Sequence, residues 1–149
     1  MWPVRRIVKW TVLAALGAFL LIQLVPYGRD HTNPTGGRTI NWDSARTERL
    51  MGDACMDCHS NETDWPWYSN VAPVSWLVQN DVDEGRRELN LSSGEVELDE
   101  MIETIRQGEM PPWQYKPTHP AARLSDGEKQ DLIRGLQATF GAGSSGPGG

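Results

Sequence analysis

The sequence predicts an all-α fold with one helix outside the main domain. Four apolar stripes recur at the i, i+3, i+4 spacing of a helix, and no segment alternates apolar and polar residues as a half-exposed strand does. A further apolar run lies at the N-terminus, behind a short basic segment. These observations divide the 149 residues into an anchor helix at 1–26, a linker at 27–41, a folded domain at 42–141 and a disordered tail at 142–149.

The N-terminal segment has the pattern of a signal anchor, which is a transmembrane helix that is not removed after export. Its apolar run extends from Trp10 to Val25 and follows three basic residues within the first nine positions. With Ile7 and Val8 added, the run is long enough to cross the roughly 30 Å hydrocarbon core, and the charge order predicts a cytoplasmic N-terminus. In a bacterium the domain after Pro26 would lie in the periplasm, tethered to the inner membrane. A cleaved signal peptide and a helix buried in a soluble core are the alternatives.

Two segments without apolar patterning bound the folded domain. Residues 27–41 are rich in Gly, Pro, Asn and Thr, which is typical of a linker. Residues 142–149 contain only Ala, Gly, Ser and Pro, and a segment of this composition cannot bury enough apolar surface to fold. The domain between them is small, so its core would gain from a large apolar cofactor to pack around.

The first two predicted helices lie in the N-terminal half of the domain. The first runs from about Ser44 to Cys55, with Asp43 or Ser44 as its N-cap. The second begins at Pro73, because proline suits the first position of a helix. The apolar residues of the second helix are Val74, Leu77, Val78 and Val82.

The last two predicted helices lie in the C-terminal half. The third follows Ser93 and Gly94 and stops at Gly108, a residue suited to a helix C-terminus. Its apolar stripe consists of Leu98, Met101, Ile102 and Ile105. The fourth opens with Ser125-Asp-Gly-Glu128, which has the form of a capping box. Its apolar stripe consists of Leu132, Ile133, Leu136 and Phe140.

The charge distribution argues against nucleic acid as a partner. After Lys9 the chain carries 20 acidic and 11 basic side chains, whereas a nucleic-acid surface needs clustered Lys and Arg to neutralise phosphates. The acidic body suits docking to a basic protein surface, and simple solubility is the alternative explanation.

The chemistry of the sequence is concentrated in Cys55-Met-Asp-Cys58-His59, which holds both cysteines of the chain. Two thiols at this spacing reach one edge of a porphyrin from a single helical turn and add to its two vinyl groups, so that the next residue lies under the iron. We therefore predict one covalently attached haem c, with Cys55 and Cys58 as attachment sites and His59 as an iron ligand. A zinc site, a redox-active dithiol and a chance motif are the alternatives.

Met110 is the predicted second ligand of the iron. It leaves the end of the third helix immediately before Pro111 and Pro112, whose restricted backbone can hold a thioether against the metal. His119, which also precedes a proline, is the competing candidate. A place in the core is the ordinary role of a methionine.

Two long segments resemble a known family. CMDCHSNETDWPWYSNVAPVSWLVQNDVDEGRRELNLS and GEMPPWQYKPTHPAARLSDGEKQDLI are similar to the small bacterial haem-binding domain family of membrane-anchored, monohaem c-type cytochromes, and the resemblance covers about residues 42–137. It implies a small cytochrome c-like helical domain around one haem. It also implies thioether bonds at Cys55 and Cys58, His59 as the proximal ligand and the family's Met-Pro turn at Met110. The family's final helix often carries a tryptophan near the position of Gly135.

Within the matched segments, Trp67 and Tyr68 follow closely after residues Cys55–His59, which we call the attachment motif. We expect them to pack against the edge of the haem, with the indole N–H or the phenol O–H available to donate a hydrogen bond to a propionate. Ordinary core packing is the alternative role for both residues.

The expected function is electron transfer rather than catalysis, because two filled axial positions leave no open iron site for a substrate. The expected partners are the membrane and the redox proteins that donate and accept electrons. The alternative is a haem-based gas sensor or a peroxidase-like domain with a displaceable sixth ligand. A haem-free interaction module or thiol oxidoreductase is the third hypothesis.

Overall fold

The computed structural model describes residues 2–93 and 96–141, and within these ranges the regular structure is helical, with no strand. The prediction of an all-α fold is confirmed. The predicted disordered tail at 142–149, and Gly94 at the predicted start of the third domain helix, lie outside the described residues.

The helices and single turns follow one another along the chain. The α-helices are α1 (Trp2–Ile22), α2 (Ala45–Met51), α3 (Asp57–His59), α4 (Val74–Glu88), α5 (Leu98–Gln107) and α6 (Asp126–Phe140). A turn of the wider π type, Gly52–Met56, joins α2 directly to α3. Single turns of 3₁₀ helix lie at Trp67–Asn70 and Pro120–Ala122.

The chain forms two compact units. The first consists of residues 2–32 and 65–81, and the second consists of residues 33–64, 82–93 and 96–141. The attachment motif and Met110 both belong to the second unit, whereas Trp67 and Tyr68 belong to the first. The predicted boundaries of the linker and of a domain at 42–141 stay a prediction.

The prediction of a transmembrane helix at the N-terminus is wrong. α1 ends at Ile22, so its apolar part after Lys9 is 13 residues long, or about 20 Å at 1.5 Å per residue. The hydrocarbon core of a bilayer is about 30 Å thick. Extending the helix toward its start adds three charged side chains. Within the described part of the chain, no helix is both long and apolar enough to cross a membrane.

The contacts of Gln23 are the physical reason why α1 stops short of the predicted end at Val25. The Gln23 side-chain amide donates to the carbonyl of Phe19, 3.1 Å away, and to the carbonyl of Ala72, 2.9 Å away. Its Oε1 accepts a hydrogen bond from the backbone N–H of Ala72 at 3.0 Å. These bonds close the last turn of α1 and tie it to the segment before α4, within the first unit.

The helix ends of the second unit follow the predicted capping signals. Ser44 caps α2 and accepts a hydrogen bond from the backbone N–H of Thr47. Ser125 and Glu128 form the predicted capping box of α6. Gly108 ends α5 in the left-handed conformation, with φ of 75°. These confirmed signals are local, because each cap bonds a residue within one turn of it.

The core of the second unit lies between α2, α5 and α6, with α6 packed against both of the others. Its buried members are Leu50, Met51, Leu91, Ile102, Ile105, Leu132, Ile133 and Leu136. The apolar stripes predicted for the third and fourth domain helices supply five of these eight residues. The domain core is therefore thin, as expected for a unit of this size.

Gly135 lets α6 approach α2 closely. A Cβ atom placed on Gly135 would lie 2.6 Å from Cγ2 and 2.8 Å from Cβ of the buried Thr47. A larger residue at this position needs a wider helix spacing. The absence of a tryptophan near Gly135 therefore has a packing reason in this chain.

Gly135→Ala is expected to lower the free energy of unfolding by about 1–3 kcal/mol, because the added methyl group overpacks the α2–α6 contact. Guanidinium denaturation, followed by circular dichroism, measures the free energy of unfolding of the variant and of the wild-type protein. Gly127→Ala is the matched control, since it lies in the same helix with open space around it, and alanine there is expected to be neutral or stabilising by up to about 1 kcal/mol. Equal effects of the two substitutions would contradict the close approach.

Candidate functional site

The attachment motif occupies two consecutive helical segments of the second unit. Cys55 lies in the π turn Gly52–Met56, and Cys58 and His59 lie in α3. Both cysteines are partly buried, and neither is in a disulfide. π turns are rare and are frequently found at functional sites. The wider turn joins α2 to α3 without a loop, so the motif sits on a continuous helical support.

Cys55, His59 and Met110 line one cleft of about 330 Å³, near the lower end of the range for ligand pockets of about 300–1,000 Å³. Met51 and Ala54 line it from the side of α2 and the π turn, and α5 supplies the opposite wall. Cys58 is not among the lining residues. The structure thus brings three of the four predicted attachment and ligand residues to one cleft.

The ring of His59 is held through Nδ1. This nitrogen lies 3.0 Å from the carbonyl oxygen of Gly85 and 3.1 Å from that of Leu89. Because a carbonyl oxygen only accepts hydrogen bonds, Nδ1 carries the proton and Nε2 keeps its lone pair. A histidine that binds a metal usually donates its other N–H in this way, which orients the ring and strengthens the ligand. His59 is therefore prepared to bind a metal through Nε2.

The two acceptors of His59 lie at the C-terminal end of α4, where Gly85 is in the last turn and Leu89 directly follows the helix. The Gly85 carbonyl also accepts a hydrogen bond from the backbone N–H of Leu89 at 2.9 Å. The partial negative charge at this end favours a hydrogen-bond donor or a cation. The approach of α4 requires Gly85, because a Cβ there would lie 2.6 Å from the carbonyl oxygen and 2.9 Å from the Cβ of Cys58. No local sequence pattern marks Gly85, since its packing partner Cys58 is distant along the chain.

Arg86 braces the segment that follows His59. Its guanidinium donates to the Ser60 carbonyl and to the Thr63 hydroxyl, each at 2.8 Å. The Thr63 hydroxyl donates in turn to the carbonyl of Asp57 at 2.6 Å. The loop after α3 is thus fixed to α4 by a chain of hydrogen bonds that begins within the motif itself.

The second candidate ligand lies on the loop after α5. Met110 lines the cleft and is 37% exposed, and its peptide bond to Pro111 is cis. Two further methionines, Met51 and Met101, also line the cleft. Met51 lies in the buried core at 1% exposure, and Met101 is partly buried against that core. The structure therefore brings three thioethers to the cleft, of which Met110 is the one carried by a loop.

His119, the competing candidate, has other contacts. Its ring stacks on Tyr115 with the centroids 3.7 Å apart and the planes 6° from parallel. Its Nδ1 lies 3.1 Å from the Tyr115 carbonyl and 3.1 Å from the Thr118 hydroxyl. His119 is not among the residues that line the cleft. These contacts favour Met110 over His119 as the iron ligand.

Trp67 and Tyr68, the predicted haem-edge residues, do not line the cleft. They pair edge to face in the first unit, with ring centroids 5.8 Å apart, and Trp67 is 80% exposed. Their contact with a cofactor stays a prediction.

The cleft is acidic at its edge. The lining residues include four glutamates and no lysine or arginine, and the glutamates are Glu88, Glu97, Glu100 and Glu109. Negative charge near a redox centre stabilises its oxidised form relative to its reduced form. Burial, and secondarily the nearby Cys58, raise the pKa of the Cys55 thiol to about 12. Cys55 is therefore a protonated thiol at neutral pH.

Tyr115 is a site residue that sequence reasoning missed. Its phenol donates a hydrogen bond to Oδ2 of Asp57 at 2.6 Å, which joins the loop after Met110 to the middle of the attachment motif. Burial, followed by this bond, raises the pKa of the Tyr115 phenol above its ordinary value, so the phenol remains the donor. No local pattern could have identified it, because the two residues are 58 positions apart.

The residues present fit a haem iron. His59 offers the lone pair of Nε2, Met110 offers a thioether, and neither cysteine is in a disulfide. An imidazole and a thioether are common axial ligands of haem iron. Within the described residues, no group of three or more His, Cys, Asp and Glu side chains could hold a bare metal ion.

Comparison with known proteins gives one family. The model of a family described as haem-binding domain matches residues 17–138, which is most of the chain. No curated protein matches the chain, and no solved structure matches it.

The hydrogen bonds predict opposite tautomers for two histidines. In the ligand-free protein at mildly alkaline pH, ¹H–¹⁵N NMR is expected to show His59 protonated on Nδ1. His31 is the internal control, because its Nε2 lies 3.0 Å from the carbonyl of Ser69 and should carry the proton. Gly85→Ala should disturb the signals of His59 and leave those of His31 unchanged. An Nε2–H tautomer at His59 would contradict the assignment of its ligand nitrogen.

Proposed function

Because the chain belongs to the haem-binding domain family, we propose that it is a monohaem c-type cytochrome that carries single electrons and has no catalytic turnover. The observation that carries the proposal is the state of His59. Its Nδ1 proton is committed to the carbonyls at the end of α4, and the ring lines a cleft together with Cys55 and Met110. The Nε2 lone pair beside a thiol and a thioether suits metal binding better than a purely structural role.

Covalent attachment assigns one role to Cys55 and Cys58. Cys55 and Cys58 would hold the haem, each thiol adding across a vinyl C=C bond so that sulfur bonds to one carbon and the proton to the other, with no oxidant or reductant consumed. The addition would require both cysteines as reduced thiols, and neither is in a disulfide. The cofactor supplies reversible one-electron chemistry at iron. A covalent bond would prevent loss of the haem in a compartment outside the cytoplasm.

Axial ligation assigns the roles of His59 and Met110. The ring of His59 is held in a fixed orientation, and Met110 extends from a loop that contains two consecutive prolines. A thioether opposite an imidazole raises the reduction potential relative to two histidines. With His59 and Met110 both bound, the iron would be low-spin and suited to electron transfer rather than substrate binding.

The partners we propose are redox proteins with basic docking surfaces. The chain carries 20 acidic and 14 basic side chains, and four glutamates lie at the edge of the cleft. Opposite charge at this edge would speed the encounter with a donor or acceptor. Because c-type attachment takes place outside the cytoplasm, we also propose that the second unit functions in an extracytoplasmic compartment such as the periplasm.

A haem-based gas sensor or peroxidase-like domain is the second candidate, and the exposure of Met110 favours it. A thioether that is 37% exposed on a loop is more easily displaced than a buried one. Rapid binding of carbon monoxide to the ferrous protein would support this candidate, whereas slow binding would support the electron carrier.

Haem attachment is tested first by expression of the full chain with a c-type haem maturation system. We expect a covalently haem-stained band after denaturing electrophoresis and an intact mass that exceeds the polypeptide by one haem. Cys55→Ala and Cys58→Ala should each leave one thioether bond, and the double substitution should abolish staining. A colourless protein with the mass of the bare polypeptide would reject the proposal.

Axial ligation is tested by three substitutions in the haem-loaded protein. Met110→Ala is expected to remove the weak sulfur-to-iron charge-transfer band of the ferric form and to speed carbon monoxide binding. Met101→Ala is the matched control, since it removes another thioether from the same cleft, and His119→Ala tests the competing ligand. Loss of the band in His119→Ala with its retention in Met110→Ala would reverse the assignment.

A further inference from the structure

The loop that carries Met110 is joined to the turn that carries His59 by one side-chain hydrogen bond. The phenol of Tyr115 donates to Oδ2 of Asp57 at 2.6 Å, and the bond is partly buried. Asp57 lies between the two cysteines of the attachment motif, and Tyr115 lies five positions after Met110. This bond therefore connects the two segments that carry the proposed iron ligands.

Tyr115 is held firmly on its own side of this bond. Its backbone N–H donates to the carbonyl of Pro112 at 3.2 Å, and its carbonyl accepts from the backbone N–H of His119 at 3.2 Å. The stacked ring of His119 covers the phenol ring at 3.7 Å. The loop also packs against the π turn through the residues Pro120–Ala122 that follow it. Tyr115 therefore cannot swing away without disrupting the whole loop.

Asp57 is held with equal firmness. Its Oδ1 accepts from the backbone N–H of Asp64 at 3.1 Å, and its backbone carbonyl accepts from the hydroxyl of Thr63 at 2.6 Å. With Oδ1 used within its own loop, Oδ2 is the oxygen that faces Tyr115. Asp57 thus provides a fixed acceptor that is independent of the loop after α5.

We propose that Tyr115 is a positioning residue whose hydrogen bond to Asp57 holds Met110 over the cleft and sets how readily the thioether leaves the iron. The inference rests on the proposed function, because it assumes a haem between His59 and Met110. Met110 is itself exposed and follows a helix end. Without the bond, the loop has fewer contacts with the attachment motif, and the sixth ligand dissociates more often.

The test is Tyr115→Phe in the full-length, haem-loaded protein. This change removes one hydroxyl and keeps the ring that stacks on His119. We expect normal covalent haem staining, a weaker sulfur-to-iron charge-transfer band, and carbon monoxide binding to the ferrous form that is faster by about tenfold, the size expected for loss of a hydrogen bond to a charged group. Tyr27→Phe is the control, since Tyr27 is exposed in the first unit.

A double-mutant cycle separates the positioning role from a general loss of stability. Asp57→Asn alone should change the band and the binding rate in the same direction as Tyr115→Phe. The double substitution should add little beyond Tyr115→Phe, because both remove the same interaction. Additive effects of the two substitutions would overturn the proposal. If Tyr115→Phe fails to fold, an unchanged carbon monoxide rate in Asp57→Asn would overturn it as well.

The outcome also distinguishes this inference from the proposed function. A wild-type protein without covalent haem would reject the proposed function, and the inference would fail with it. The positioning role alone would be rejected by a different result. In that result the wild-type protein has a low-spin haem with His/Met ligation, and Tyr115→Phe has the same spectrum and the same rate of carbon monoxide binding.

Discussion

The hydrogen bond between Nδ1 of His59 and the carbonyls of Gly85 and Leu89 is the constraint on which the site depends. It fixes the tautomer, directs Nε2 outward and ties the attachment motif to the end of α4. The bond exists only because Gly85 has no side chain where α4 meets Cys58. A backbone acceptor cannot be protonated at any ordinary pH, so the ligand tautomer is maintained without help from another titrating group.

The core and the cleft of the second unit share residues. Met51 and Ile105 belong to the buried cluster between α2, α5 and α6, and both also line the cleft. A flat apolar cofactor in the cleft would therefore extend the core rather than occupy a separate pocket, which helps to explain how a unit with so few buried side chains coheres. The π turn contributes to the same end, because it carries Cys55 without a break in the helical support.

Charge and connectivity would act separately on an iron centre in the cleft. The four glutamates at the edge of the cleft create a negative field, which would favour the oxidised state of the iron. Tyr115 links the loop after α5 to Asp57, and under our proposals this bond sets the position of Met110. The field of the exposed glutamates is screened by salt, whereas the short, partly buried hydrogen bond is not.

The sequence by itself determined the features that depend on neighbours along the chain. The all-α class, the caps at Ser44 and Ser125 and the stop at Gly108 are all local patterns, and the structure contains each of them. Tertiary structure alone decided the features that depend on distant partners. The contact of Gln23 with Ala72 ends α1 too early for a transmembrane span, and the bonds of His59 and Tyr115 join residues 26 to 58 positions apart. Apolar periodicity records which face of a helix is buried, but not what the face meets, so such contacts leave no signal in a single sequence.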